Sequence, residues 1–183
     1  MSRIKPLILL SVAALFSSCK PSATEQRDSI LKLEKELMNG NTLVADSQKA
    51  ASLCAKYMDF SSRFPEDSLA AEFLFRAGDL AQGIGDFTLS LRCYDTLLIA
   101  HPAHTKAPAA FFMQAFVIDQ RIGDKKLAAE MYHAFLQKYP EHQLSPSAKV
   151  SLDQINSGMS DEDLVRMFQQ KADSIEKASA VKR

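Results

Sequence analysis

The chain has 183 residues, 46% apolar and 24% charged, a globular rather than a disordered composition. Its 22 basic and 22 acidic side chains cancel, so the basic excess typical of a nucleic-acid binder is missing and no nucleic-acid partner is expected. Six Gly and seven Pro exclude collagen-like and low-complexity classes, and no apolar run reaches the length of about 18 residues that crosses a membrane.

The first residues read as an export address. Arg3 and Lys5 give a basic start, an apolar run from Pro6 to Phe16 follows, and Ser17, Ser18 and Cys19 close it. That layout is a secretory signal, too short to span a bilayer. Ser17-Ser18-Cys19 resembles the end of a bacterial lipoprotein signal, in which small residues precede a Cys that is lipidated and becomes the mature N-terminus. Phe16 stands where that family usually has Leu. An ordinary secretory signal with an incidental Cys is the alternative. The resemblance implies residues 1–18 as signal, lipidation at Cys19, and a membrane attachment through the N-terminal lipid in the cell envelope. Lys20 directly after Cys19, with no acidic run, favours a periplasm-facing outer-membrane location.

Residues 19–27 are polar and aperiodic and are expected to be a flexible tether. Asp28 or Ser29 can then cap a short helix with Ile30, Leu33 and Leu37 on one face, stopped at Asn39-Gly40. A second helix is expected from about Thr42 toward Ser62. Three segments then align on a proline: Leu53 to Pro65, Ser90 to Pro102 and Ala128 to Pro140. Each carries a Tyr eight residues before its Pro (Tyr57, Tyr94, Tyr132) and a large apolar residue five before it (Phe60, Leu97, Phe135). Gly85-Asp86 and Gly123-Asp124 precede the second and third segments, and apolar helices from Ala70 to Ile84 and from Pro108 to Ile122 precede those turns. Gly85 to Gly123, Tyr94 to Tyr132 and Pro102 to Pro140 are all offset by 38. The pattern is a helix-turn-helix repeat: Gly ends one helix, Pro ends the next, and a pair that cannot bury its apolar face alone must stack on its neighbours.

Gly85, Tyr94 and Pro102, with Gly123, Tyr132 and Pro140, resemble the tetratricopeptide repeat. The resemblance covers about residues 43 to 155 and is similar to a long-period periplasmic lipoprotein branch that includes the outer-membrane barrel-assembly lipoprotein. It implies an all-α fold, a short right-handed solenoid of antiparallel helix pairs over residues 28–158. It counts two complete units, a preceding second helix and a partial first helix from Ser147 to Ile155. The family's small residue on the first helix falls at Gly78 in one unit and at Phe116 in the next. The family register places a concave groove at Phe75, Arg76, Asp79 and Gln82, and at Met113, Gln114, Val117, Gln120 and Arg121. Arg76, Gln114 and Arg121 suit carboxylates or peptide carbonyls, and Phe75 and Met113 suit apolar side chains; a solvated face is the plainer alternative.

Beyond Ser157-Gly158, residues 159–183 are expected to form a C-terminal capping helix with a frayed end, its stripe being Leu164, Phe168, Ala172 and Ile175. A partner-binding helix is the alternative. Cys54 and Cys93 are expected as buried thiols, although an exported protein permits a disulfide. His101 and His104 bracket Pro102, but no third ligand stands at metal-site spacing, so they read as loop residues. No phosphate loop, nucleophile elbow or His-Glu-x-x-His occurs, and no catalytic residue, metal or cofactor is expected. These features favour a non-enzymatic scaffold that docks another envelope protein or a peptide segment. A structural component of an outer-membrane protein assembly machine is the alternative.

Overall fold

The computed structural model describes residues 21–39 and 47–158, together with residues 166, 169 and 170. Among the described residues every regular element is helical. They are α1 (Ala23–Asn39), α2 (Ser47–Arg63), α3 (Ala70–Gly83), α4 (Phe87–Ala100), α5 (Ala107–Val117), α6 (Lys125–Lys138) and α7 (Ser145–Ser157). A π-helical turn, Ile118–Ile122, continues α5. Each helix packs chiefly against the one before and the one after it in the chain. That is the arrangement expected when hairpins of helices share their apolar faces with sequential neighbours.

The expected tether is corrected by α1, which begins at Ala23 rather than after Asp28. Ser22 and Glu25 form a capping box: Ser22 N–H and Oγ both donate to Glu25 Oε2 at 2.8 Å, and Glu25 N–H donates to Ser22 Oγ at 3.3 Å. Polar side chains that suggest a solvated linker are instead spent on α2 and the loop after it. Gln26 donates to Asp59, Arg27 pairs with Asp67 at 2.7 Å, and Arg63 donates to Gln26 Oε1 at 2.9 Å.

The hairpin turns follow one rule. Gly85 and Gly123 have φ of +81° and +82°, the left-handed conformation that ends a helix without Cβ strain. The Asp that follows each caps the next helix, Asp86 accepting from Leu89 N–H at 2.9 Å and Asp124 from Leu127 N–H at 3.0 Å. The three proline linkers are also alike. The residue two after each Pro closes the loop with its own side chain. Asp67 Oδ1 accepts from Leu69 N–H at 2.9 Å, and His104 Nδ1 and His142 Nδ1 accept from Lys106 and Leu144 N–H at 3.2 Å. His104 is therefore a loop cap, and this role needs no metal.

The helix pairs are held by the tyrosines and apolar residues read from the alignment. Phe60, Leu97, Phe135, Tyr94 and Tyr132 have no exposed surface, and Tyr57 is buried. Phe75 meets Tyr94, and Phe112 meets Tyr132, each at a ring-centroid distance of 5.8 Å and an interplanar angle of 52°. Phe112 is thus the counterpart of Phe75, an offset of 37, which is also the spacing of Pro65 to Pro102 and Tyr57 to Tyr94. The thirty-eighth residue of the later unit enters within the π-helical turn, where Gly123 N–H reaches back five residues to the Ile118 carbonyl at 2.8 Å. Applying an offset of 38 ahead of that turn misplaces residues by one. The small residue opposite the tyrosine is therefore Ala115, fully buried, and not Phe116, which is half-buried.

Cys54 and Cys93 are free and buried, as expected. The expected second helix begins at Ser47 in the structure, and residues 42–46 of it lie outside the described residues. Residues 166, 169 and 170 are helical and exposed; the remainder of the expected C-terminal helix, with its apolar stripe, lies outside the described residues.

Two glycines of α3 are expected to respond with opposite sign. A Cβ on Gly78 would stand 2.4 Å from the ring of Tyr94, which has no room to move, so Gly78→Ala should destabilise by about 1–3 kcal/mol despite the better helix propensity of Ala. Gly83 has nothing within 4 Å, so Gly83→Ala should stabilise by about 0.4–1 kcal/mol. Urea unfolding midpoints of the two variants check both.

Candidate functional site

A buried phenol must find an acceptor for its hydroxyl, and each second helix solves this on the helix before it. Tyr57 of α2 donates to Glu34 of α1, Tyr94 of α4 to Asp79 of α3 at 2.6 Å, and Tyr132 of α6 to Asp119 of the π-helical turn at 3.4 Å. Burial raises all three tyrosine pKa values above their ordinary range, so the hydroxyls remain donors at any physiological pH. The Tyr57–Glu34 contact makes α1 the first helix of a hairpin. Among the described residues the array therefore has three helix pairs followed by α7, one more pair than the repeat alignment counts.

The added pair creates a site. Between α1, α2 and α3 lies a cleft of about 380 Å³ lined by Glu34, Leu37, Leu53, Tyr57, Arg76, Asp79, Leu80, Gly83 and Ile84. Its wall is mostly apolar, with a small number of charged groups at the edge, the usual composition of a recognition pocket. Arg76 Nη1 meets Glu34 Oε1 at 2.8 Å, and Arg76 Nε meets Glu72 Oε1 at 3.1 Å. Lys106 continues the row, 3.8 Å from Glu72 and 4.9 Å from the Phe75 ring centroid. A ladder of alternating charge thus crosses from α1 over α3 to the start of α5.

The structure divides the expected groove residues. Arg76 and Asp79 line the cleft, and Phe75 stands beside them against Tyr94. Gln82 is half-buried on α3 outside the lining set. Met113 is half-buried and packs on two hydrophobic clusters, bridging α3–α4 to α5–α6. Gln114 is turned toward α4, its amide 3.5 Å from the Leu91 carbonyl. Val117 is fully buried, which corrects its place in the groove. The one-residue register error ahead of the π-helical turn explains this. Gln120 is exposed and donates to Asp119 at 2.9 Å, while exposed Arg121 lies over the Phe87 ring at 5.7 Å. These two belong to the π-helical turn after α5 and not to the cleft.

Glu34, Leu37, Leu53, Tyr57, Leu80, Gly83 and Ile84 are the lining residues the sequence argument missed. A signal was present: Tyr57 matches Tyr94 and Tyr132 in position, so its buried hydroxyl required an acceptor, and Glu34 lies beside the Ile30–Leu33–Leu37 stripe.

Other chemistry is sparse. Asp119, with 3% of its surface exposed, accepts from Lys125 Nζ at 2.7 Å as well as from Gln120 and Tyr132, so its carboxylate is consumed by internal donors. Among the described residues no three His, Cys, Asp or Glu side chains gather as metal ligands, and no helix is long and apolar enough to cross a membrane. Cys19 lies outside the described residues. No known protein-family model matches the chain, and no curated protein matches it in sequence.

Two outcomes follow from this geometry. Arg76 is 41% exposed, so solvent screens its pairing; a double-mutant cycle of Arg76→Ala with Glu34→Gln, read by urea denaturation, should give a coupling below about 1 kcal/mol. Burial, reinforced by the nearby Asp86 carboxylate, pushes the Cys54 thiol up to about 11, and burial pushes Cys93 up to about 12. At neutral pH a disulfide exchange reagent should therefore titrate neither thiol in the folded chain and both after addition of denaturant.

Proposed function

We propose that this chain is an envelope-tethered adaptor. In this reading Cys19 is lipidated, the helices form a right-handed tetratricopeptide-like solenoid, and the array docks another envelope protein or a peptide segment at the periplasmic face of the outer membrane. The protein acts by binding and performs no reaction. Support for the repeat assignment comes from the two matching Gly–Asp turns, the three matching proline linkers and the paired 5.8 Å Phe–Tyr contacts. Support for export comes from the basic start, short apolar run and Ser17-Ser18-Cys19.

The observation that carries the docking role is the α1–α2–α3 cleft, with Leu37, Leu53, Leu80 and Ile84 beneath and Glu34, Arg76 and Asp79 at the edge. Apolar anchors enter such a cleft and the charges set orientation. One observation favours a second reading, a holding component of an outer-membrane protein assembly machine. Arg76 is already tied to Glu34 and Glu72, so part of the polar rim serves the array itself.

Crosslinking in intact cells separates the two. A photoreactive residue in place of Gly83, which lines the cleft and has open space around its Cα, should trap one dominant partner identified by mass spectrometry, and Leu80→Asp in the same protein should abolish the adduct. No adduct at Gly83, with strong adducts from exposed Lys138 of α6, would discard the cleft as the docking site.

A further inference from the structure

The contacts around Pro21 and α1 bear on how the array meets a membrane. Arg63 Nη2, at the end of α2, donates to the Pro21 carbonyl at 2.9 Å, and Ser22 opens the capping box of α1. Arg27 of the first turns is clamped to Asp67 in the loop between α2 and α3, and Gln26 is buried between Asp59 and Arg63. The chain is thus fastened to the helix array at Pro21, two residues after Cys19 in sequence. Two residues reach at most about 7 Å. A flexible leash of about eight Gly/Ser residues would instead wander over roughly 16 Å and leave the array free to turn.

We infer that the array rests directly against the lipid surface by one end, the end formed by Pro21, the first turn of α1, the last turn of α2 and the loop from Phe64 to Leu69. This rests on the Cys19 lipid anchor proposed above. The helix geometry sets what lies opposite. Leu37 is fourteen residues beyond Ala23 on α1, about 21 Å along the axis, and Leu53 is ten residues before Arg63 on α2, about 15 Å from that end. Both line the cleft, so this part of its wall stands about 15–21 Å along the helix axes from the attached end. The attached face is not a basic patch: Arg27 pairs with Asp67 and Arg63 with Asp59, and Glu25 and Glu66 are exposed beside them. The orientation therefore comes from the short covalent leash and from exclusion by the bilayer, and it is insensitive to salt.

The test uses the mature, full-length lipidated protein in vesicles of phosphatidylethanolamine and phosphatidylglycerol with a nitroxide headgroup quencher. A fluorescent amino acid replaces Glu66 in one protein and Glu36, exposed near the far end of α1, in another. Headgroup quenching at Glu66 is expected to exceed that at Glu36 severalfold, at low and high salt alike. Inserting a flexible Gly/Ser segment between Lys20 and Pro21 should collapse that contrast, and Arg63→Ala, with helicity unchanged by circular dichroism, should reduce it. Equal quenching at the two positions in protein that carries lipid by mass spectrometry and floats with vesicles would overturn the orientation alone. Contrast that survives the insertion would overturn the leash as its cause. Protein without lipid that fails to float would overturn the Cys19 anchor and the orientation with it.

Discussion

A fully buried tyrosine ring with a hydroxyl that must be satisfied is the constraint on which the array depends. The ring supplies the apolar area that holds two helices together, and the hydroxyl decides how they are aligned along their axes. Glu34, Asp79 and Asp119 each meet a tyrosine of the following helix, so one requirement is answered three times by a carboxylate on the same side of a hairpin. The rest follows from that alignment. Gly78 must lack a side chain because the Tyr94 ring occupies its Cβ position, and Phe75 and Phe112 lean on the two rings in the same geometry. The cleft is the by-product at the first hairpin, where Tyr57 points its hydroxyl at Glu34 and Arg76 joins that carboxylate from the next helix.

Features that depend on local backbone chemistry were legible in the sequence. Gly85-Asp86 and Gly123-Asp124 need only a left-handed residue and a cap, and both are found where the spacing put them. Pro65, Pro102 and Pro140 mark the linkers because proline cannot continue a helix. What escaped were features that depend on a neighbour. The polar stretch before Asp28 has no hydrophobic signal, and its helix exists because Ser22, Gln26 and Arg27 have partners on Glu25, Asp59 and Asp67. The π-helical turn leaves no mark on composition; only the difference between the 37-residue and 38-residue spacings hints at it. Missing it displaced the groove by one residue on α5, which put the core residue Val117 on the surface.

The same extra residue gives the third hairpin a different electrostatic character. In the second hairpin the acceptor carboxylate, Asp79, is exposed at the edge of the cleft. In the third, the wider turn carries Asp119 inward, where Lys125, Gln120 and Tyr132 close around it. A carboxylate taken out of water needs such compensation. The first and third hairpins therefore present unlike surfaces: a recessed, partly charged cleft at one, and at the other a buried carboxylate paired with an exposed lysine.

The likeness of the proline linkers bears on how a protein of this kind changes length. Asp67, His104 and His142 differ in chemistry, yet each supplies one acceptor at the same place, and the flanking backbone bonds repeat from loop to loop. A junction whose shape is independent of which units it joins makes the units interchangeable parts. Copying or deleting the stretch between two prolines rebuilds the same elbow at the seam, so the reach of the molecule is open to change by whole-unit duplication with no redesign of its joints.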